Sequence, residues 1–334
     1  MPFRDLAGHR RLLDLTARAA ERGSLPPSLI FAGPDGVGKR RAAIALAQLF
    51  NCTAPRPGSA DDPPDACGAC PACRRIERGV HADVLTIAPG ETGSIKVDQV
   101  RQAVERSAYR PFEGRRRVVI VDDADAMEPS AQNALLKTLE EPPAASAFVL
   151  VTARPDVLLP TVRSRCQRLR FGRLAASEVA AVLMREHRFS EADAHAASSL
   201  ADGSIGQALD GETDGYVGAR EAAAAMLVQV ASSAHPRQRL AAAKTLGGDK
   251  LDREQLSRRL RLMLSMLRDL GILLSRADER TLANGDIKPS LQRLIRSFDG
   301  ERTVRAFSAV DRALVALDRN ASPKIVADWL AFQI

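Results

Sequence analysis

The chain has 334 residues, 45% of them hydrophobic and 27% charged, with a net charge of +7. That length accommodates two or three domains around proper cores, and that balance is the composition of a soluble globular protein. It excludes a membrane-spanning protein, because no apolar run reaches the ~20 residues a spanning helix needs. An aromatic content of 4% also argues against a stacking platform for single-stranded nucleic acid. The basic excess is scattered, so it is compatible with nucleic acid or an acidic partner without pointing to either. The opening residues Met1-Pro2-Phe3-Arg4-Asp5 lack the apolar core of a signal peptide, and a cytoplasmic location is expected.

The first predicted strand is the apolar run Ser28-Leu29-Ile30-Phe31-Ala32. Gly33-Pro34-Asp35-Gly36-Val37-Gly38-Lys39-Arg40 follows, and a helix is predicted over Arg41 to Phe50. Strand, glycine loop and helix in that order make a Walker A phosphate loop. Gly33, Gly36 and Gly38 let backbone N–H groups curl around phosphate oxygens, and Lys39 reaches the terminal phosphates. One position departs from the pattern. The residue after the lysine should offer a hydroxyl to Mg²⁺, and Arg40 has five donors and no lone pair for a metal.

A stretch rich in Pro, Gly, Asp and Cys interrupts the pattern from Asn51 to about Arg74. It holds Cys52 and then Cys67, Cys70 and Cys73 at two-residue spacing. Four thiolates are what a closed tetrahedral zinc site uses, so a structural Zn²⁺ is expected here, with an iron–sulfur cluster as the minor alternative. A cytosolic chain disfavours disulfides. His81 is an available substitute ligand that four cysteines make unnecessary.

Asp83 to Ile87 reads as a strand, Val97 to Ser107 as a helix, and Arg117-Val118-Val119-Ile120-Val121 as a buried strand ending in Asp122-Asp123. Asp122 stands where a Walker B carboxylate would tie Mg²⁺ to the phosphates, with Asp123 in the place of a water-positioning acid. The pair is also compatible with a solvated turn. The basic run Gly114-Arg115-Arg116-Arg117 is read as a solvated loop leading into the strand rather than a DNA contact. Pro129 to Glu140 is a helix stopped by Glu141-Pro142-Pro143. Ala147 to Thr152 and Gln167 to Phe171 complete five strands, and apolar strands alternating with helices imply a parallel sheet covered on both faces.

Between the last two strands lies Ser164-Arg165-Cys166. Arg165 is either an ordinary surface residue or an arginine finger serving a phosphate held elsewhere. Cys166 reads as a small packing residue. From Leu174 onward the pattern is helical, with Ser177 and Ser190 as caps and Gly203-Ser204-Ile205-Gly206 opening a further helix. Two apolar stripes, Leu256/Leu260/Met263/Leu267/Leu270 and Val304/Phe307/Val310/Leu314/Leu317, are expected to pack mainly inside the domain, with subunit packing as the other use. No Ser/His/Asp triad, paired-carboxylate site or polymerase site is legible, and whether the chain is itself an enzyme stays open.

Taken together, Val118 to Asp125, Asn133 to Pro143, Ser164-Arg165-Cys166 and the cysteine insertion resemble the AAA+ clamp-loader subunits of bacterial DNA polymerase III. The resemblance implies a RecA-like α/β domain with a parallel sheet over residues 1–171, carrying the zinc insertion at about 51–74. A helical lid over 172–211 and an all-α collar over 212–334 would follow. It implies a hetero-oligomeric, pentameric ring with gamma/tau and delta subunits, acting on a sliding clamp and primer–template DNA. Motor subunits of the family keep the loop hydroxyl and a lid arginine. This chain has Arg40 and Gly206 at those places and retains Arg165, which implies a non-motor subunit whose own ATP or ADP binding is weak or absent. Two rival expectations are an active gamma/tau-like ATPase, against which Arg40 speaks, and a zinc-dependent DNA-binding module.

Overall fold

The computed structural model describes residues 1–334 apart from 91, 210–215, 233–234, 247–251 and 320. The chain divides into two compact units, Met1–Leu174 and Ala175–Ile334. The expected lid–collar boundary at 211/212 lies outside the described residues.

The first unit is built on five parallel strands in the order β2-β3-β4-β1-β5. They are β1 (Ser28–Ala32), β2 (Val84–Ile87), β3 (Arg117–Val121), β4 (Ser146–Thr152) and β5 (Gln167–Arg170). Side chains alternate across a strand, so the central strands feed two cores at once. Leu29, Phe31, Val118, Ile120, Val149 and Val151 enter one cluster. Ile30, Ala32, Val119, Val121, Phe148 and Leu150 enter the other. This is why β1, β3 and β4 read as unbroken apolar runs. β5 differs from that expectation. It lies at the sheet edge, and Gln167, Arg168 and Arg170 are exposed.

Helices α1 (Arg10–Glu21), α2 (Lys39–Asn51), α3 (Pro71–Glu77), α4 (Val97–Ala108), α5 (Pro129–Glu140) and α6 (Pro160–Arg163) complete this unit. Gln132 on α5 is buried, donating through Nε2 to Met127 O at 3.2 Å and accepting from Leu159 N at 2.7 Å. It ties the segment leading into α5 to the end of the β4–α6 connection.

The loop before β3 keeps Arg115 exposed, as expected of a solvated basic run, but departs from that expectation at Arg117. Asp83 is fully buried and accepts from the N–H groups of Phe112, Glu113 and Gly114 at 2.7, 2.9 and 2.7 Å. Arg117 donates to the same carboxylate at 2.9 Å and is buried with it. Arg115 donates to Phe50 O at 3.0 Å and Cys52 O at 2.8 Å, and Arg116 lies over the Phe50 ring at 4.8 Å. The buried carboxylate draws the Arg117 guanidinium inward, because it needs a partner that water cannot supply there, whereas Arg115 stays exposed and Arg116 half-buried.

The second unit is helical throughout: α7 (Ala176–His187), α8 (Glu191–Leu200), α9 (Ile205–Leu209), α10 (Tyr216–Ser232), α11 (Pro236–Lys244), α12 (Arg253–Leu274), α13 (Lys288–Leu294), α14 (Gly300–Asp318) and α15 (Pro323–Gln333). Ser190 caps α8 through Asp193 N, as its position suggests. Ser177 does not cap α7. The N-cap is Ala175, whose N–H donates to the Glu178 carboxylate at 2.9 Å. The α12 stripe from Leu256 to Leu270 is wholly inside the core. The α14 stripe is split. Val310 and Leu317 are buried alongside Ala306, Ala309 and Ala313, while Val304 is 66% and Phe307 40% exposed. The small alanines let α14 lie close to α12, which turns the buried seam away from Val304 and Phe307.

Candidate functional site

The glycine loop leaves β1 at Gly33, whose N–H donates to Thr152 O at 3.2 Å. A Cβ at position 33 would stand 2.1 Å from Phe171 O, so only glycine fits. Gly38 has φ of +97° at the N-cap of α2, a conformation that L side chains avoid. Lys39 is thereby placed in the first turn with its side chain folded into the loop. Its Nζ donates to Gly33 O and Pro34 O, both at 2.7 Å, and lies 3.5 Å from Asp35 Oδ1. Burial lowers its pKa, partly offset by Asp35.

Arg40 follows on the same turn, and its Nε lies 3.3 Å from Asp122 Oδ2. Asp122 sits just past β3, its N–H donating to Ile87 O at 2.8 Å. Burial raises its pKa, and the Arg40 guanidinium acts in the opposite direction. Asp123 turns away from the strand with φ of +48° and is exposed. The loop and Asp122 are thereby brought side by side through Arg40. A divalent metal does not fit the donor set, however. Mg²⁺ takes oxygen ligands, and the hydroxyl position next to Lys39 holds a cation already paired with the carboxylate.

A further carboxylate, to which the sequence reading gave no role, lies close by. Asp125 accepts from Thr152 Oγ1 at 2.7 Å and Arg154 Nε at 2.8 Å. Burial would raise its pKa, but these hydrogen bonds outweigh it and hold the carboxyl below its ordinary range. They fix the buried Thr152 at the end of β4.

Arg165 lies between α6 and β5. Its Nη1 donates to Thr161 O at 2.9 Å and its Nη2 to Glu140 Oε1 at the end of α5. Glu140 is a partner that no sequence signal reveals, since 25 positions separate the two residues. Cys166 beside it packs against the β-sheet core, and burial pushes its thiol up to about 12. That suits a packing residue rather than a nucleophile.

The cysteines converge. The sulfurs of Cys52, Cys67, Cys70 and Cys73 all lie within 4.8 Å of one another, and Cys52 Sγ is 4.0 Å from Cys70 Sγ. Tetrahedral coordination with Zn–S bonds of about 2.3 Å separates sulfurs by about 3.8 Å, so these four fit. Backbone N–H groups of Cys67, Cys70 and Cys73 donate to Cys52, Cys67 and Cys70 sulfurs at 3.2, 3.2 and 3.4 Å. Such donors stabilise thiolates. Burial raises the Cys52 and Cys73 thiols, whereas hydrogen bonds from Thr53 and Cys73 overcome burial at Cys70 and bring it to about 5. The cluster is clamped from outside by Arg4, which donates to Ala66 O and Cys67 O at 2.7 and 2.9 Å, and by Gln48, which donates to Cys73 O at 2.8 Å. His81 is not among these ligands. It accepts from Asp83 N at 3.1 Å and its Nε2 lies 3.5 Å from Glu113. The four cysteines could hold a metal ion.

Comparison with known proteins places this architecture. The sequence model of the family described as "DNA polymerase III, delta subunit" matches residues 8–175. The chain belongs to that family. Among curated relatives, the DNA polymerase III subunit delta' of Pseudomonas aeruginosa is 42% identical over 135 residues, covering 40% of this chain and 39% of that protein. The subunit tau of Salmonella typhimurium is 34% identical over 212 residues, covering 62% of this chain and 32% of that protein. The chain thus spans well under half the length of the relatives it matches. Among solved structures, a DNA polymerase III gamma subunit-related protein of Thermotoga maritima aligns over 96% of this chain and 98% of its own, at 21% identity and a TM-score of 0.41. Among the described residues no helix is long and apolar enough to cross a membrane.

Proposed function

We propose that the chain is a delta-prime-type, non-motor subunit of the DNA polymerase III clamp loader, which completes a neighbour's ATP site rather than working its own. The observation that carries this reading is the contrast between two arginines. Arg40 stands in the place of a metal-binding hydroxyl and pairs with Asp122 at 3.3 Å. Arg165 is kept at the junction of α6 and β5, held by Thr161 and Glu140. A permanently charged, planar guanidinium is suited to stabilise charge developing on a γ-phosphate. In this reading an adjacent gamma/tau subunit presents its ATP, and phosphate oxygens replace Glu140 as partner of Arg165.

The rest of the chain fits the same role. Residues 1–171 form the P-loop domain, 172–211 the lid and 212–334 the collar that holds a pentameric hetero-oligomer with gamma/tau and delta. The assembly opens the sliding clamp and leaves it on primer–template DNA in the cytoplasm. The four cysteines carry a structural Zn²⁺ that pins the insertion to the domain, with no open coordination position for chemistry.

The test is reconstitution with gamma/tau and delta. Arg165→Ala is expected to assemble normally and to slow DNA-stimulated hydrolysis at the one site it serves by about 10³-fold or more, the low side of what an arginine finger supplies. An unchanged rate overturns the assignment. The alignment to a tau subunit over 62% of the chain favours a second reading, an active gamma/tau-like ATPase. ATP hydrolysis by the purified chain, lost on Lys39→Ala, would establish it.

A further inference from the structure

The loop carries its own cation at the point where a divalent metal would sit. In a working P-loop, Mg²⁺ bridges the loop hydroxyl, the acid after the neighbouring strand and the phosphate oxygens. Here the acid is present as Asp122, and the hydroxyl position is Arg40, whose Nε is 3.3 Å from Asp122 Oδ2. The Arg40 side chain is 61% exposed and that of Asp122 13%, so the pair itself stabilises the fold little. Its consequence lies in occupancy. Arg40 is anchored on the first turn of α2, where Ala42 N donates to Gly38 O at 2.9 Å, and Asp122 is anchored to β2 through Ile87 O at 2.8 Å. A guanidinium tethered between two such elements faces the carboxylate at an effective concentration on the millimolar scale. A free Mg²⁺ ion must displace it and gains no hydroxyl ligand in return.

The phosphate-facing side is less committed. Lys39 Nζ is satisfied by Gly33 O and Pro34 O at 2.7 Å, contacts that phosphate oxygens can replace. Arg40 keeps donors beyond the one aimed at Asp122, since a guanidinium has five. A polyphosphate entering the loop therefore meets backbone N–H groups, an ammonium and a guanidinium.

We propose that Arg40 takes the place of the divalent cation at this loop, so that the loop binds the polyphosphate of a nucleoside di- or triphosphate in its metal-free form. The proposal stands on the loop geometry alone. It is tested on the isolated full chain, so its failure and the failure of the trans reading of Arg165 are separate results.

The measurement is fluorescence titration of the full-length chain with N-methylanthraniloyl-ADP, once with MgCl₂ and once with EDTA. The wild-type dissociation constant is expected to be no tighter with MgCl₂ than with EDTA, since Mg²⁺ withdraws the metal-free nucleotide, whereas Arg40→Thr, which restores a hydroxyl, is expected to bind about tenfold tighter with Mg²⁺ than with EDTA. Three results would overturn the proposal: wild-type binding that tightens tenfold with Mg²⁺, wild-type binding in neither buffer, or an Arg40→Thr chain indifferent to Mg²⁺. Circular dichroism establishes that the variant is folded, and Arg40→Ser supplies a second hydroxyl at the same position. The wild-type comparison decides the matter independently of either variant.

Discussion

Replacing Asp83 with asparagine should weaken the first unit far more than a change of one atom implies. The carboxylate is fully buried and receives three backbone N–H bonds of 2.7, 2.9 and 2.7 Å, together with Arg117 at 2.9 Å. Asparagine keeps the shape but offers a single acceptor oxygen. Its NH₂ must face either Glu113 and Gly114 N–H or Phe112 N–H and Arg117, a donor against donors in both cases. Arg117 is left buried without a counter-charge, and removing one member of a buried pair costs about 3–5 kcal/mol. For a unit of this size that corresponds to a fall in melting midpoint of roughly 10 °C. Urea unfolding followed by far-UV circular dichroism measures the loss directly.

The penalty should also depend on pH. Burial alone would raise the pKa of Asp83, but the N–H groups of Phe112, Glu113 and Gly114, with Arg117, hold it below the ordinary carboxylate range. A depressed folded-state pKa gives stability that is present above the unfolded value of about 3.9 and is lost as pH falls through the folded value. The gap between wild type and Asp83→Asn should accordingly be full near neutrality and narrow below about pH 4. A cost under about 1 kcal/mol at neutral pH, or a gap that widens in acid, would refute the reasoning. Because Asp83 fixes the loop leading into β3 and Asp122 lies at the other end of that strand, the variant should also disturb the candidate nucleotide loop.

Three further outcomes are expected. The purified chain should contain zinc by atomic absorption, and Cys73→Ser or prolonged chelation should cost the first unit more than ~3 kcal/mol in the same unfolding assay; full occupancy and stability in the serine variant would refute the metal assignment. In the second unit, Leu267→Ala should cost about 2–5 kcal/mol because it opens a cavity at a buried seam. Phe307→Glu should leave thermal stability nearly unchanged and weaken assembly with gamma/tau and delta in gel filtration, while undiminished assembly would remove α14 from the subunit contact.

Local chemistry made much of the first unit readable. β1, β3 and β4 are apolar on both faces because both faces are covered, and glycines at 33, 36 and 38 mark a loop that nothing bulkier can form. The cysteine spacing likewise announces convergence. What escaped were partnerships set by tertiary approach. Arg117 looks like part of a solvated charge run until Asp83 is brought against it, and the carbonyl partners of the exposed Arg115 are equally invisible in sequence. Glu140 gives no hint of Arg165, because only the packing of α5 beside α6 brings them together. The α14 stripe has helical period, yet periodicity cannot say which side meets α12, and the alanines at 306, 309 and 313 decided it.

The approach of Gly33 to Phe171 has a practical consequence. β1 and β5 are direct neighbours, with Ala32 opposite Arg170, and a methyl group at position 33 would collide with the carbonyl of Phe171, the residue just past β5. Arg165 lies just ahead of the same four-residue strand. A substitution meant to disable the loop by filling Gly33 would thus push on the strand that carries the arginine, and its effects on the two could not be told apart. Lys39→Ala, which removes an ammonium and displaces no backbone, is the variant that keeps loop and arginine experimentally separate.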